Sequence, residues 1–119
     1  MHRVLVVDDD FAIAKQIRSI LHSTTDFECV GHAKNGAEAI KLNHTEDPDI
    51  ICMDMQMPGM DGLTAVRSLV KLDKTVKIVM ITSFGTISSW CAEALKAGAR
   101  EIITKPFDAE TLLTVLRAL

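Results

Sequence analysis

No stretch of this chain is long enough to cross a membrane as an apolar helix. Its longest apolar runs, such as Val4 to Val7 and Ile78 to Ile81, are four residues each, where a spanning helix needs about 20. Met1, His2 and Arg3 run straight into a strand-like stretch, leaving no room for a signal peptide, so the expectation is a cytoplasmic protein. Cysteine is scarce. The three residues Cys29, Cys52 and Cys91 are odd in number, widely spaced and form no CxxC pair. That excludes a disulfide framework and reads as small buried hydrophobes in a reducing compartment. The four histidines, His2, His22, His32 and His44, are too scattered for a zinc site. There is no excess of either charge: 13 basic residues stand against 16 acidic ones, a net of −3. A large electrostatic footprint for nucleic acid is therefore excluded on this domain, and DNA contact would require an effector domain beyond Leu119.

Repeats, low-complexity stretches and Gly/Ser/Pro linkers are also lacking. What remains is one domain of 119 residues, 48% hydrophobic and 24% charged. A chain of that size buries enough surface to fold without disulfides or a structural metal. Residues 1–119 are read as a single unit. Its last helix stops abruptly on the apolar Leu119, which fits truncation before a C-terminal effector domain as well as a stand-alone relay.

Short β-branched runs alternate with stretches of helical period. Strands are predicted at Arg3 to Val7, about Glu28 to Ala33, Ile50 to Met53, Val76 to Ile81 and Glu101 to Ile103. The first helix carries Ile13, Ile17, Ile20 and Leu21 at i, i+4, i+7 and i+8. Asn35 reads as the N-cap of a short second helix through Ile40, with Glu38 in capping-box position. A third helix carries Leu63, Val66, Leu69 and Val70. A fourth carries Ile87, Cys91, Ala94 and Leu95 and stops at Gly98. Asp108 caps a fifth with Leu112, Val115, Leu116 and Leu119. Strands one, three and four are continuously apolar, the pattern of parallel strands covered on both faces. Five βα units then predict an α/β fold: a doubly wound, five-stranded parallel sheet.

In such sheets, ligands bind outside the carboxyl ends of the strands. Asp8 and Asp9 end the first strand, Asp54 the third, Thr82 and Ser83 the fourth, and Thr104 and Lys105 the fifth; the second ends in nothing notable. Two carboxylates about 4 Å apart repel by ~4 kcal/mol at an effective dielectric near 20. Three in one cleft either raise a pKa or recruit a cation, and Lys105 alone is too little. Hard oxygen donors suit Mg²⁺. Asp54, from the central strand, suits a carboxylate nucleophile for a phosphoryl group, with Thr82 and Lys105 taking its oxygens. Taken singly, each residue has a plainer reading. Asp10, Asp26, Asp61 and Asp73 are read only as turn or cap residues, and Asp8 alone could be a helix cap. The set is what carries the functional reading.

The segments Val4-Leu5-Val6-Val7-Asp8-Asp9, Asp49 to Gly62 with its Asp54-Met55-Gln56-Met57-Pro58-Gly59-Met60-Asp61-Gly62 stretch, Ile78 to Ser83, Ala97-Gly98-Ala99 and Lys105-Pro106-Phe107 span the chain. Through them it resembles the receiver domains of two-component response regulators, the single-domain chemotaxis type included. The resemblance implies a (βα)5 flavodoxin-like fold of strand order 2-1-3-4-5 and a phosphorylation-activated switch. Asp54 is then the phosphoacceptor, charged by a sensor histidine kinase or a small phosphodonor. Asp8, Asp9, Asp54 and the backbone carbonyl of Gln56 hold Mg²⁺. Thr82, Ser83 and Lys105 bind the phosphoryl group, and the Lys105–Pro106 bond is cis. The domain catalyses only its own phosphorylation and hydrolysis and controls an output, read as transcription. A homodimer through helix 4, strand 5 and helix 5 is the implied assembly.

Three positions depart from the family pattern. The aromatic switch position falls on Ile102, and the chain has no tyrosine. The stretch from Thr82 to Gly98 is one residue longer than expected, reshaping the entrance to helix 4. Phe84 is bulky beside the site and, with Gln56, is expected to modulate hydrolysis. Trp90 fits a core position or an exposed anchor equally well. Two other classes compete. An Asp-nucleophile phosphohydrolase would want a second acid where Gln56 stands. An unphosphorylated flavodoxin-like interaction module would need no acidic set at all.

Overall fold

Strand and helix alternate five times: β1 (His2–Val7), α1 (Phe11–His22), β2 (Phe27–Ala33), α2 (Gly36–Glu46), β3 (Ile50–Asp54), α3 (Gly62–Leu72), β4 (Lys77–Ser83), α4 (Ser88–Ala97), β5 (Glu101–Lys105) and α5 (Ala109–Arg117). The computed structural model describes residues 1–57, 61–73, 75–83 and 88–119. All strand pairs are parallel, in the order β2-β1-β3-β4-β5. This is the doubly wound parallel α/β sheet that the alternation predicts, in the flavodoxin-like strand order that the resemblance implies.

Apolar side chains divide between the two faces of the sheet by strand parity. Val4, Val6, Ile50, Cys52, Val79, Ile81 and Ile103 point toward α1 and α5, which contribute Ala14, Ile17, Leu21, Leu112 and Leu116. Leu5, Val7, Ile51, Met53, Ile78 and Met80 point toward α2, α3 and α4, which contribute Ala39, Val66, Leu69 and Ala94. Burial on both faces explains why β1, β3 and β4 read as unbroken hydrophobic runs. Edge strand β2 is only half-buried through its middle, and its register against β1 slips between Val4 and Leu5, passing over Val30.

Side-chain caps set the helix starts. Asp10 accepts from the Ala12 N–H at 2.9 Å, Asn35 from Glu38 at 2.8 Å, Asp61 from Thr64 at 2.8 Å and Asp108 from Thr111 at 2.8 Å. Gly98 follows α4 at φ +124°, where a side chain would also run into Val70. The Lys105–Pro106 bond is cis.

Several expectations need correction. The second helix does not stop at Ile40 but runs to Glu46, closed by Asp47 in the left-handed region at φ 46°. Its last turns are mostly polar, so no apolar stripe announces them. In α1 the buried stripe uses Ala14 with Ile17 and Leu21, and Ile13 is half-buried. In α4, Ala94 is buried but Leu95 is 48% exposed. β4 and β5 extend two residues past the expected ends, to Ser83 and Lys105, because Thr82 pairs in register with Thr104 and Ser83 with Lys105. Cys52 is buried, and burial pushes its thiol up to about 12; Cys29 and Cys91 are only half-buried, and all three are free. Asp26 is more than a turn residue, since both its oxygens meet the Arg117 guanidinium, at 2.8 and 3.1 Å. Phe84, Ile87 and the reshaped entrance to α4 lie outside the described residues.

Among the described residues, no helix is long and apolar enough to cross a membrane.

Candidate functional site

The carboxyl edges of β1, β3 and β5 meet at the middle of the sheet. β1 pairs β3 through Val7 and Met53, so the residues that follow, Asp8 and Asp54, emerge side by side. Asp8 is 1% exposed and Asp54 6% exposed; Asp9, one residue further along, is exposed. Each of the three offers a carboxylate oxygen, and these oxygens all lie within 4.8 Å of one another. Lys105 reaches in from β5, its Nζ 3.1 Å from Asp8 Oδ2 and 3.6 Å from Asp54 Oδ1.

Backbone groups hold this constellation. The Asp10 N–H donates to Asp8 Oδ1 at 2.9 Å, and the Gln56 N–H donates to Asp54 Oδ1 at 3.3 Å. The Met55 N–H donates to the Ile81 carbonyl and the Gly62 N–H to the Met55 carbonyl, both at 3.1 Å. Those bonds tie the strand end to β4 on one side and to α3 on the other. Gly62 has to be glycine here, because a Cβ would collide with the Asp54 carbonyl oxygen and sit 2.8 Å from Met55 Cα. The first turn of α3 is thus pressed directly against the backbone of Asp54.

The electrostatics are unbalanced. Burial, and then the neighbouring Asp8 charge, push Asp54 from its ordinary value up to about 6 against the pull of Lys105 and the Gln56 N–H. Three carboxylates sharing the Lys105 ammonium retain excess negative charge in a partly buried cleft. All donors are hard oxygens, so the cluster fits a small divalent cation such as Mg²⁺.

The remaining sequence-derived residues fall as follows. Thr82 is 3% exposed and follows Ile81, the register partner of Asp54. Ser83 is exposed at the end of β4, beside Lys105 in register. Ile102 is half-buried against the α2–α4 side of the core. The Gln56 side chain is exposed. Trp90, left open between core and surface, is 44% exposed; with Asp9, Gln56, Met57 and Asp61 it lines a cavity of about 660 Å³ beside the acids.

Sequence reasoning missed His32. By sequence the second strand ends in nothing notable, yet His32 Nε2 lies 2.7 Å from the backbone oxygen of Asp8. As the N–H tautomer it donates there and clamps the loop that carries the acidic pair. An isolated histidine near the end of a weak strand carries no spacing signal, and its partner is 24 residues away.

Comparison with known proteins agrees with this geometry. The response regulator receiver domain family matches residues 4–117. The chemotaxis protein CheY of Bacillus subtilis is 37% identical over 115 residues, 97% of this chain and 94% of that protein. Among solved structures, the response regulator domain of Thermotoga maritima CheB superposes with a TM-score of 0.88 at 33% identity, covering 99% of this chain and 95% of that one. A chain of the CheX–CheY–BeF3–Mg²⁺ complex from Borrelia burgdorferi superposes with a TM-score of 0.89 at 34% identity, over 98% of this chain and 87% of that one. The strand order, the acids gathered at its centre and these matches over nearly the whole chain lead to one assignment: the chain belongs to the response regulator receiver domain family.

Proposed function

We propose that this chain is a single receiver domain that works as a phosphorylation switch, with Asp54 as the phosphoacceptor. The observation that carries the reading is the environment of Asp54: buried at the end of the central strand, within 4.8 Å of Asp8 and Asp9 oxygens and 3.6 Å from the Lys105 ammonium. An Asp54 oxygen attacks the phosphorus of a phosphohistidine on a sensor kinase, or of a small acyl phosphate. The P–N or P–O bond breaks and the leaving group departs with its electron pair. Hydrolysis reverses the modification: water attacks phosphorus and Asp54 leaves as a carboxylate, releasing inorganic phosphate.

Mg²⁺, when bound, supplies positive charge to the phosphoryl oxygens and holds Asp54 ionised. Asp8, Asp9, Asp54 and the Gln56 carbonyl are the residues that would hold it. Lys105 pairs with a phosphoryl oxygen, Thr82 and Ser83 donate hydroxyls to the others, and the exposed Gln56 side chain modulates access of water. Ile102 replaces the aromatic reporter, so the change is passed on by packing at β5 and not by a swinging ring. Phe84 is retained as a shield of the acyl phosphate; it lies outside the described residues.

The domain acts on no other substrate. Its setting is the cytoplasm, its donor a sensor histidine kinase, and its contact with a second copy the α4–β5–α5 face, where Leu95 is exposed. For the output, the near-complete match to a chemotaxis protein favours chemotaxis over the transcriptional control first expected. With Mg²⁺ and acetyl phosphate, the intact mass is expected to rise by one phosphoryl group, and Asp54→Asn is expected to abolish the gain. An equal gain in Asp54→Asn contradicts the assignment.

A further inference from the structure

α1 overhangs the edge strand β2 and leaves a groove of about 650 Å³ between them. Lys15, Arg18 and His22 from α1 and His32 from β2 line it, and among the described residues no carboxylate does. That is a one-signed lining on a chain whose net charge is −3. Lys15, Arg18 and His22 are all exposed and stand at i, i+3 and i+7, on one side of the helix, over a rise of about 10 Å. Beneath them the wall is apolar, with buried Val6 and Ala14 and half-buried Cys29. At the end of the groove, Phe11 is 62% exposed but not loose. Its ring meets His32 edge-on, 5.3 Å between centroids, and Lys34 Nζ lies 5.6 Å from its centre. An exposed aromatic already braced on two sides loses little rotamer freedom on contact, which is what an anchor requires.

We propose that this groove binds an extended acidic segment of a partner protein, its carboxylates facing Lys15 and Arg18 and an apolar side chain seated on Phe11. Charge complementarity selects the sign, and the linear arrangement selects the shape. Side chains on one face of an extended segment recur every ~7 Å, and the long side chains of Lys15 and Arg18, with ~4.5 Å of helix rise between them, splay far enough to meet two successive ones. A compact anion meets only part of such a row.

The test is an amide NMR titration of the full, metal-free chain with a synthetic peptide of alternating Glu and Ser around a central Leu. The same peptide with Gln for Glu, inorganic phosphate and ATP serve as comparison ligands. Expected are saturable shifts confined to α1 and β2, with affinity falling about tenfold for Arg18→Glu and again on raising salt beyond the screening range of ~0.1 M. Lys15→Glu is expected to act alike, and Lys71→Glu on the exposed side of α3 to change nothing. Thermal melts of each variant establish that it is folded. The proposal is overturned by any of four results: no shifts at millimolar peptide, shifts centred on the acid site, equal binding of the Gln peptide, or phosphate or ATP occupying the groove as tightly as the Glu peptide.

Discussion

Two aspartates at opposite ends of the strands show how the same side chain serves different ends. Asp26, just before β2, is held by the Arg117 guanidinium through two parallel bonds, and that pairing takes its carboxyl down to about 2. Asp54, at the far end of β3, is buried among carboxylates with the Lys105 ammonium 3.6 Å away, and its carboxyl rises to about 6. The first is satisfied and half-exposed, and it fastens α5 to the chain entering β2. The second is under-neutralised, which costs stability and leaves a site ready for a cation and a phosphoryl group.

The largest test of the contrast removes the charge at Asp54. Because its folded-state value lies above the ordinary 3.8, the Asp54 contribution to the stability of the metal-free fold is most favourable below about pH 4 and is lost as pH rises through about 6. Asp54→Asn is therefore expected to stabilise the metal-free protein at pH 7 by on the order of 2–3 kcal/mol, read from urea unfolding, with no gain at pH 4. A destabilised variant at pH 7 would mean that Asp54 is satisfied after all. Gly62→Ala drives a methyl group into the Asp54 carbonyl and is expected to cost about 1–3 kcal/mol. It is also expected to slow phosphorylation by acetyl phosphate, whereas a rate equal to wild type would show that α3 does not position Asp54.

His32→Ala removes the clamp on the Asp8 carbonyl. The expected effect is a loss of about three- to tenfold in Mg²⁺ affinity, at or below the range for outer-shell partners, measured by isothermal titration calorimetry. Asp26→Asn should matter least. A depressed value means that its contribution is present above about pH 4 and fades as pH falls toward 2. Because the pair is largely exposed, the expected outcome is a slight fall in melting temperature at pH 7 that shrinks in high salt.

The sheet was legible because both its faces are buried, which makes the strands read as unbroken apolar runs, and because caps such as Asp61 and Asp108 lie one residue before the helices they start. The acid site was legible because the fold delivers strand ends to one edge, so Asp8, Asp54 and Lys105 could be collected without knowing a single distance. Other features left no local trace. Helix α2 continues past Ile40 on polar residues, and Leu95 lies beside the buried stripe of α4, not on it. Asp26 and Arg117 meet across 91 residues. His32 serves a backbone oxygen, which no side-chain motif records. In each case the deciding partner is tertiary.

Borohydride reduction tests the central claim most directly. After treatment with acetyl phosphate, reduction converts an aspartyl phosphate to homoserine, and peptide mass spectrometry locates the change. The account requires that change at Asp54, only when Mg²⁺ is present. Homoserine at Asp8 or Asp9 in place of Asp54, or equal modification of Asp54 in excess chelator, would contradict it.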